Sequence, residues 1–229
     1  ALTTMIFMVS CSSNSGSVKA GGELKTFDDS VAYALGYYIA FSNNEQNWEP
    51  VSVEQVVHGL NDFYDDGDSS MLMDRETAIK MLRENGKKAQ ERIQIENEEK
   101  GKAFLDNNKS KEGVVTLESG LQYKVIKEGD GAIPGPGAKV KVHYTGKFID
   151  GSVFQSSKER GEPIELDISQ TMAGWQEAMG LMKTGSSWEL YIPAELAYGD
   201  RGREGIAPGS TLVFELDLFE IVENEKTEE

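Results

Sequence analysis

The chain has 229 residues and a net charge of −16, from 39 acidic and 23 basic side chains. So acidic a chain is a poor candidate for nucleic-acid binding, which requires a basic surface that displaces counterions from phosphates. One cysteine and two histidines exclude an internal disulfide, a CxxC redox pair and a His- or Cys-rich metal site. We therefore predict a protein of one or two domains that uses no metal and no cofactor.

The N-terminal segment carries a lipoprotein-like pattern. Cys11 follows the apolar run from Met5 to Val9 and precedes a Ser- and Gly-rich stretch, which is similar to the lipobox of a bacterial lipoprotein signal. We interpret residues 1–25 as a truncated signal and a flexible tether, with Cys11 as the lipidation site. The lipid is the expected membrane attachment, since no stretch approaches the ~20 apolar residues of a spanning helix. The alternative is an ordinary apolar N-terminus with a chance cysteine.

Two amphipathic helices are predicted next. Apolar residues recur at helical spacing from Val31 to Phe41 and again from Val53 to Tyr64, as in helices that bury one face. Ser52 and Gln55 form a capping box at the start of the second helix. Two such short helices bury too little apolar surface to fold alone. We therefore predict that they form an all-α domain that dimerises with a second copy of the chain.

A third, much longer helix is predicted from Asp74 to about Asn108, a rod of roughly 50 Å. Most of its length is polar, which is typical of a helix that bridges domains or pairs with a partner. Three Glu–Lys pairs at i, i+4 spacing are expected to stabilise it, namely Glu84/Lys88, Glu96/Lys100 and Glu98/Lys102.

Residues 113–229 change from helical spacing to the alternation typical of half-buried strands. Five or so strands are predicted around one helix-like segment, Ala173 to Met182. The last strand places Leu212, Phe214 and Leu216 on one buried face. This pattern predicts an α+β domain in which a curved antiparallel sheet surrounds one short helix. Asn224 to Glu229 are expected to form a disordered acidic tail.

Five motifs in this part each contribute an aromatic residue: Val-His-Tyr-Thr-Gly (142–146), Asp-Gly-Ser-Val-Phe (150–154), Gly-Trp (174–175), Ala-Tyr-Gly (197–199) and Thr-Leu-Val-Phe-Glu (211–215). Asp150-Gly151 predicts a hairpin turn, since both residue types tolerate positive φ, and this turn brings Tyr144 close to Phe154. In this order and spacing, the motifs resemble the FKBP-type peptidyl-prolyl cis-trans isomerases over roughly residues 113–223.

The helical part carries a second resemblance. Ser-Val-Ala-Tyr-Ala-Leu-Gly-Tyr (30–37) and the junction at residues 103–115 are similar to the dimerisation domain of the bacterial periplasmic FKBP chaperones and the macrophage infectivity potentiators. This resemblance implies a helical dimerisation domain with a long linker helix at residues 26–112 and an FKBP-like domain at residues 113–229. It also implies a homodimer in the bacterial periplasm, to which the Cys11 pattern adds a lipid anchor.

The resemblance assigns roles to individual side chains. The catalytic residues it implies are Tyr144, Phe154, Gln155, Trp175, Tyr198 and Phe214. The substrate-binding residues it implies are Ile164, Thr171, Met172 and Ile206. Trp175 would be the floor under the proline ring, and the Tyr198 hydroxyl would donate to a substrate carbonyl. Gln155 stands where the family usually has an aspartate, which implies reduced turnover.

The chemistry of such a pocket needs no nucleophile, general base or metal. Amide resonance sets a barrier of about 18–20 kcal/mol to rotation about the C–N bond. A water-poor apolar pocket favours the twisted, less polar amide over the planar one, which is differential transition-state binding. The expected substrates are proline-containing unfolded or nascent polypeptides. Two alternatives stay open: a non-catalytic holdase or peptide-binding module, and a helical part that docks another protein.

Overall fold

The computed structural model describes residues 23–65 and 72–222. The predicted lipidation site Cys11 and the acidic tail at residues 224–229 lie outside the described residues. The chain divides into two compact units after Glu45. The first unit contains the first helix, and the second begins at Gln46. No helix among the described residues is long and apolar enough to span a bilayer.

The three N-terminal helices are α1 (Phe27–Glu45), α2 (Val53–Asp65) and α3 (Arg75–Asn108). The serine half of the predicted capping box of α2 is present, since the Ser52 hydroxyl accepts from the backbone N–H of Gln55 at 3.3 Å. Asp74 caps α3 by accepting from the Thr77 N–H at 2.7 Å, and this hydrogen bond lowers the pKa of Asp74. The predicted start of each of these two helices is therefore confirmed.

The ion pairs along α3 differ from those predicted. Lys100 pairs with Glu96 at 2.6 Å, as expected. Lys102 pairs with Asp106 instead of Glu98, and Glu84 lies 4.0 Å from Lys80 rather than pairing with Lys88. Spacing alone could not decide between these partners, because Lys102 has an acid at both i−4 and i+4, and Glu84 has a lysine at both positions.

The C-terminal part forms one antiparallel sheet of seven strands and a short helix. In chain order these are β1 (Val114–Thr116), β2 (Gln122–Lys127), β3 (Lys139–Phe148), β4 (Val153–Ser156), β5 (Ile164–Asp167), α4 (Ala173–Met179), β6 (Ser187–Ile192) and β7 (Leu212–Val222). The spatial order is β1-β2-β6-β7-β3-β4, and β5 pairs with the other half of β3. The predicted class is confirmed, although there are two more strands than the five predicted.

The core lies between the sheet and α4. One face of the long strands β3 and β7 is buried, including Val140 and Val142 on the first and Leu216 and Leu218 on the second. Ala178 and Met179 of α4 are fully buried in the same cluster. The alternation seen in the sequence thus corresponds to a sheet that buries one face against one helix.

The second half of α3 packs on this β domain. A Cβ at Gly101 would lie 3.0 Å from the Thr211 Cβ, so only glycine allows this close approach. Asn97 donates to the Pro208 carbonyl at 2.8 Å. The buried Asn108 side chain donates to Gln122 at 3.0 Å. The last turns of α3 are therefore part of the packing of the β domain.

Candidate functional site: an aromatic cleft

The hairpin from β3 to β4 positions the first two aromatic residues. Gly151 has φ of 89°, whereas Asp150 is not among the described residues with positive φ. The predicted hairpin turn is therefore present, and only its glycine uses the positive φ that both residue types tolerate. Its carboxylate instead accepts from the N–H and hydroxyl of Ser152 at 2.9 and 2.6 Å, and these bonds lower the pKa of Asp150. The Phe148 N–H donates to the Ser152 carbonyl and closes the loop.

The wall of the site consists of packed rings. Phe154 meets Phe214 edge to face, with centroids 5.7 Å apart and an interplanar angle of 89°. Gly146 lies directly beneath this pair, since a Cβ there would be 2.6 Å from the Phe154 ring and 2.8 Å from the Phe214 ring. Edge-to-face packing of this kind is favourable for aromatic quadrupoles. Here it requires glycine at position 146, because any larger side chain would collide with both rings.

Trp175 forms the floor. It is held by α4 with 4% of its surface exposed. Its ring lies 5.3 Å from that of Tyr144 and 5.2 Å from that of Phe214, both near perpendicular. The preceding Gly174 allows α4 to approach β6, because a Cβ there would be 2.6 Å from Ile192. Among the described residues, the buried indole N–H of Trp175 has no hydrogen-bond partner.

These residues enclose a cleft of about 300 Å³. Of the ten binding and catalytic residues predicted from the resemblance, eight line it: Tyr144, Gln155, Ile164, Thr171, Met172, Trp175, Tyr198 and Phe214. The cleft also includes Leu166, Gln170 and Arg203, which sequence reasoning did not single out. Leu166 was visible as an alternating strand residue and Gln170 as the neighbour of Thr171. Nothing in the pattern marked Arg203.

Two predicted site residues lie behind the lining rather than on it. Phe154 supports Phe214 from the side and packs on Phe148 at 5.0 Å. Ile206 is buried in the core, and its backbone forms two hydrogen bonds with Arg203, of 2.8 and 2.9 Å. Ile206 thereby fixes the loop that carries Arg203 to the cleft.

Two arginines are held at tyrosine hydroxyls of the cleft. Arg160 donates to the Tyr144 hydroxyl at 3.3 Å, and Arg203 donates to the Tyr198 hydroxyl at 2.9 Å. Since both hydroxyls accept from a guanidinium, each keeps its own proton free to donate elsewhere. Gln155, in the position where the resemblance expects an acid, lines the same cleft.

A polar relay behind the wall orients Tyr144. The Ser157 hydroxyl accepts from the Tyr144 backbone N–H at 2.8 Å and lies 2.9 Å from Nδ1 of His143. His143 therefore has a structural role, because its ring contacts Ser157 behind the wall and does not line the cleft.

The chemical character of the cleft follows from its lining. Apolar and aromatic surfaces predominate, and no carboxylate, histidine or cysteine of the described chain is among the lining residues. No group of three or more potential metal ligands occurs in the described parts of the chain. The residues present can exclude water, hold a ring on an indole face and donate hydrogen bonds, but offer no nucleophile or general base. Fold and site together define an apolar peptide cleft of the type suited to rotation about an amide bond.

Comparison with known proteins agrees with this class. A family model described as FKBP-type peptidyl-prolyl cis-trans isomerase matches residues 131–219. A second, described as the domain amino terminal to FKBP-type peptidyl-prolyl isomerase, matches residues 28–125. The FKBP-type 22 kDa peptidyl-prolyl cis-trans isomerase of Escherichia coli (strain K12) is 43% identical over 202 residues, covering 86% of this chain and 97% of that protein. The chain therefore belongs to the FKBP-type peptidyl-prolyl cis-trans isomerases.

Two further similarities concern its relatives within that family. The crystal structure of FkpA from Escherichia coli has a TM-score of 0.72 and 33% identity, covering 87% of this chain and 98% of that one. The outer membrane protein MIP of Legionella longbeachae is 51% identical over 127 residues, but this match covers only 55% of this chain and 54% of that protein. The predicted family, fold class and enzyme class are thereby confirmed.

Proposed function

We propose that the aromatic cleft binds Xaa-Pro segments of unfolded polypeptides and catalyses their cis-trans isomerisation. The observation that carries this proposal is the buried Trp175 ring, set nearly perpendicular to both Tyr144 and Phe214. A flat apolar floor between two upright rings matches a proline ring in size and polarity. The walls also exclude water, and a low-polarity site stabilises the twisted amide relative to the planar one.

The polar groups at the cleft rim supply orientation. In this proposal Tyr198 donates its hydroxyl hydrogen to a carbonyl of the substrate, while Arg203 occupies one of its lone pairs at 2.9 Å. Thr171 and Met172 flank the entrance just before α4 and contact the peptide backbone. Ile164 covers the opposite side. Positioning of this kind lowers the barrier without any covalent step.

A matched pair of tyrosine variants tests the site. Tyr198→Phe removes one hydroxyl from the cleft and should lower kcat/KM about fivefold, the equivalent of one hydrogen bond of roughly 1 kcal/mol. Tyr123→Phe removes a hydroxyl from a tyrosine stacked on Trp188, outside the cleft lining, and should leave kcat/KM unchanged. Equal effects in a protease-coupled Xaa-Pro assay would contradict the assignment of the cleft.

We propose further that the helical part forms a homodimer. Leu35 of α1 and Phe63 of α2 are 61% and 60% exposed in the single chain, and α1 buries none of its residues. Apolar side chains so exposed along whole helices are typical of an interface. Light scattering at micromolar concentration should give twice the chain mass of 25.2 kDa. A monomer mass would instead favour the docking of another protein.

The proposed setting is the periplasm, with Cys11 lipidated and exported polypeptides as clients. The apolar run before Cys11 and the name of the Legionella longbeachae relative, an outer membrane protein, support it. Intact-mass measurement of the protein expressed from its full gene should show an acylated cysteine at the mature N-terminus. An unmodified Cys11 would leave the anchor without support.

A further inference from the structure

We propose that Arg160 and Arg203 make the cleft selective for prolines that lie within two residues of an acidic side chain. This inference rests on the proposed function, because it names the class of peptide that the cleft takes. It concerns a local charge opposite in sign to that of the chain as a whole, whose net charge is −16.

Both guanidinium groups are hydrogen-bonded at the cleft, although both arginines are solvent-exposed residues. Arg160 is tied to the Tyr144 hydroxyl at 3.3 Å. Arg203 is tied to the Tyr198 hydroxyl at 2.9 Å, and its guanidinium carbon lies 5.0 Å from the centre of the Tyr198 ring. A guanidinium has five N–H donors, so each arginine keeps donors that can reach a bound peptide.

Neither charge is compensated within the described chain. No carboxylate oxygen of the described residues lies within 4.0 Å of either guanidinium group. The sequence neighbours Glu159, Glu162 and Glu204 are exposed and form no ion pair with them. The lining itself contains no carboxylate.

Gln155 leaves the positive charge of the two arginines without a negative partner in the cleft. It belongs to β4, the strand that precedes Arg160, and its neutral amide lines the cleft. An acid at this position would offer the arginines an internal partner. With glutamine there, an incoming carboxylate is the available partner, and guanidinium binds carboxylate in a bidentate geometry.

The test compares blocked peptides of the form acetyl-Ala-Xaa-Pro-Ala-amide, with Xaa as Glu, Gln or Lys, so that terminal charges are absent. Exchange spectroscopy by NMR gives kcat/KM for each. The Glu peptide should exceed the Gln peptide by about three- to fivefold, the range that a partly exposed ion pair supports. The Lys peptide should fall below both.

Three variants localise the effect. Arg160→Gln and Arg203→Gln should each move the Glu/Gln ratio towards one, and Gln155→Asp should do the same by supplying an internal carboxylate. Arg83→Gln is the matched control, since it makes the same change in net charge on α3. Arg83 lies about 16 Å along the helix from Gln94, whose carbonyl would be 2.5 Å from a Cβ at Gly209 in the β domain. It should leave the ratio at the wild-type value.

The outcomes separate this inference from the proposed function. Equal rates for the Glu and Gln peptides in wild type, or a ratio preserved in both arginine variants, would overturn the selectivity alone. If all peptides exchange at the spontaneous rate, the proposed function fails. Selectivity is then measured as Kd by chemical-shift titration with the same peptides, and equal affinities would overturn it too. Thermal melts of each variant establish that it is folded.

Discussion

Gly146→Ala should displace the aromatic wall of the cleft, although residue 146 itself does not line the cleft. It lies on β3 beneath the rings of Phe154 and Phe214. A Cβ added there would be 2.6 Å from Cζ and 2.8 Å from Cε2 of Phe154, and 2.8 Å from Cε1 of Phe214. Ordinary carbon–carbon contacts are about 3.5–4.0 Å, so each ring would have to move by about 1 Å.

The magnitude follows from that displacement. Overpacking of a well-packed site costs about 1–3 kcal/mol, and the relief of replacing a strand glycine returns roughly 0.5–1 kcal/mol. We therefore expect Gly146→Ala to lower the free energy of unfolding by about 1–2 kcal/mol. Displacement of a positioning group by about 1 Å can cost on the order of a hundredfold in rate. Since Phe214 forms the wall beside Trp175, kcat/KM should fall by about ten- to a hundredfold.

The assay is protease-coupled isomerisation of an Xaa-Pro peptide at a temperature well below the melting transition, with urea unfolding of the same samples. Gly135→Ala is the control, because a Cβ at Gly135 would meet nothing within 4 Å and its φ is not positive. It should match wild type in both measurements. If Gly146→Ala retains wild-type kcat/KM and stability, the packing account of the wall is refuted.

Three further changes have defined outcomes. Gln155→Asp should raise kcat/KM about fivefold for a neutral peptide, as expected for one added hydrogen bond to the wall; no change would show that the neutral amide does not limit turnover. Gly101→Ala should lower the melting temperature, because its Cβ would collide with Thr211, whereas Gly86→Ala, whose Cβ would meet a tryptophan ring at an ordinary 3.7 Å, should not. Burial raises the pKa of Asp217, but hydrogen bonds to a serine and a lysine outweigh it and hold the pKa below its ordinary value. Because this pKa is lower in the folded state, the ionised Asp217 stabilises the fold above about pH 4, and this stabilisation is lost as the pH falls further. Urea unfolding from pH 5 to pH 2.5 should therefore show a steeper fall in the free energy of unfolding for wild type than for Asp217→Asn.

The long strands and the aromatic wall could be predicted because their signal is local. Tyr144 and Phe214 each lie on an alternating strand, and alternation alone assigns them to the buried face. Trp175 follows a glycine at the start of the one helical segment in a region of strands. The order of the motifs, more than any one of them, indicated that these rings meet.

Other parts of the site depend on contacts that no short pattern encodes. Arg203 reaches the cleft because its loop is closed by backbone hydrogen bonds to Ile206, and such closure is not visible in composition. Arg160 reaches Tyr144 across 16 positions of chain. The strand β1 has only three residues and depends on pairing with β2, so its own sequence carries too little periodicity to identify it.

Ion pairs on α3 show the same limit in the helical part. Lys102 has Glu98 on one side and Asp106 on the other, and the structure selects Asp106, which also pairs with Lys109. These pairs hold the pKa of Asp106 at about 2. The spacing rule predicts that a partner exists, but the choice between equivalent partners depends on the neighbours of each acid.

The central claim is that this cleft catalyses rotation about Xaa-Pro bonds. The most direct measurement is the exchange rate of a neutral, blocked Xaa-Pro peptide at micromolar wild-type protein, followed by NMR together with peptide binding. Uncatalysed exchange takes tens to hundreds of seconds, and the account predicts acceleration that rises in proportion to protein concentration. A spontaneous rate in the presence of saturable peptide binding would contradict the claim and favour a non-catalytic holdase.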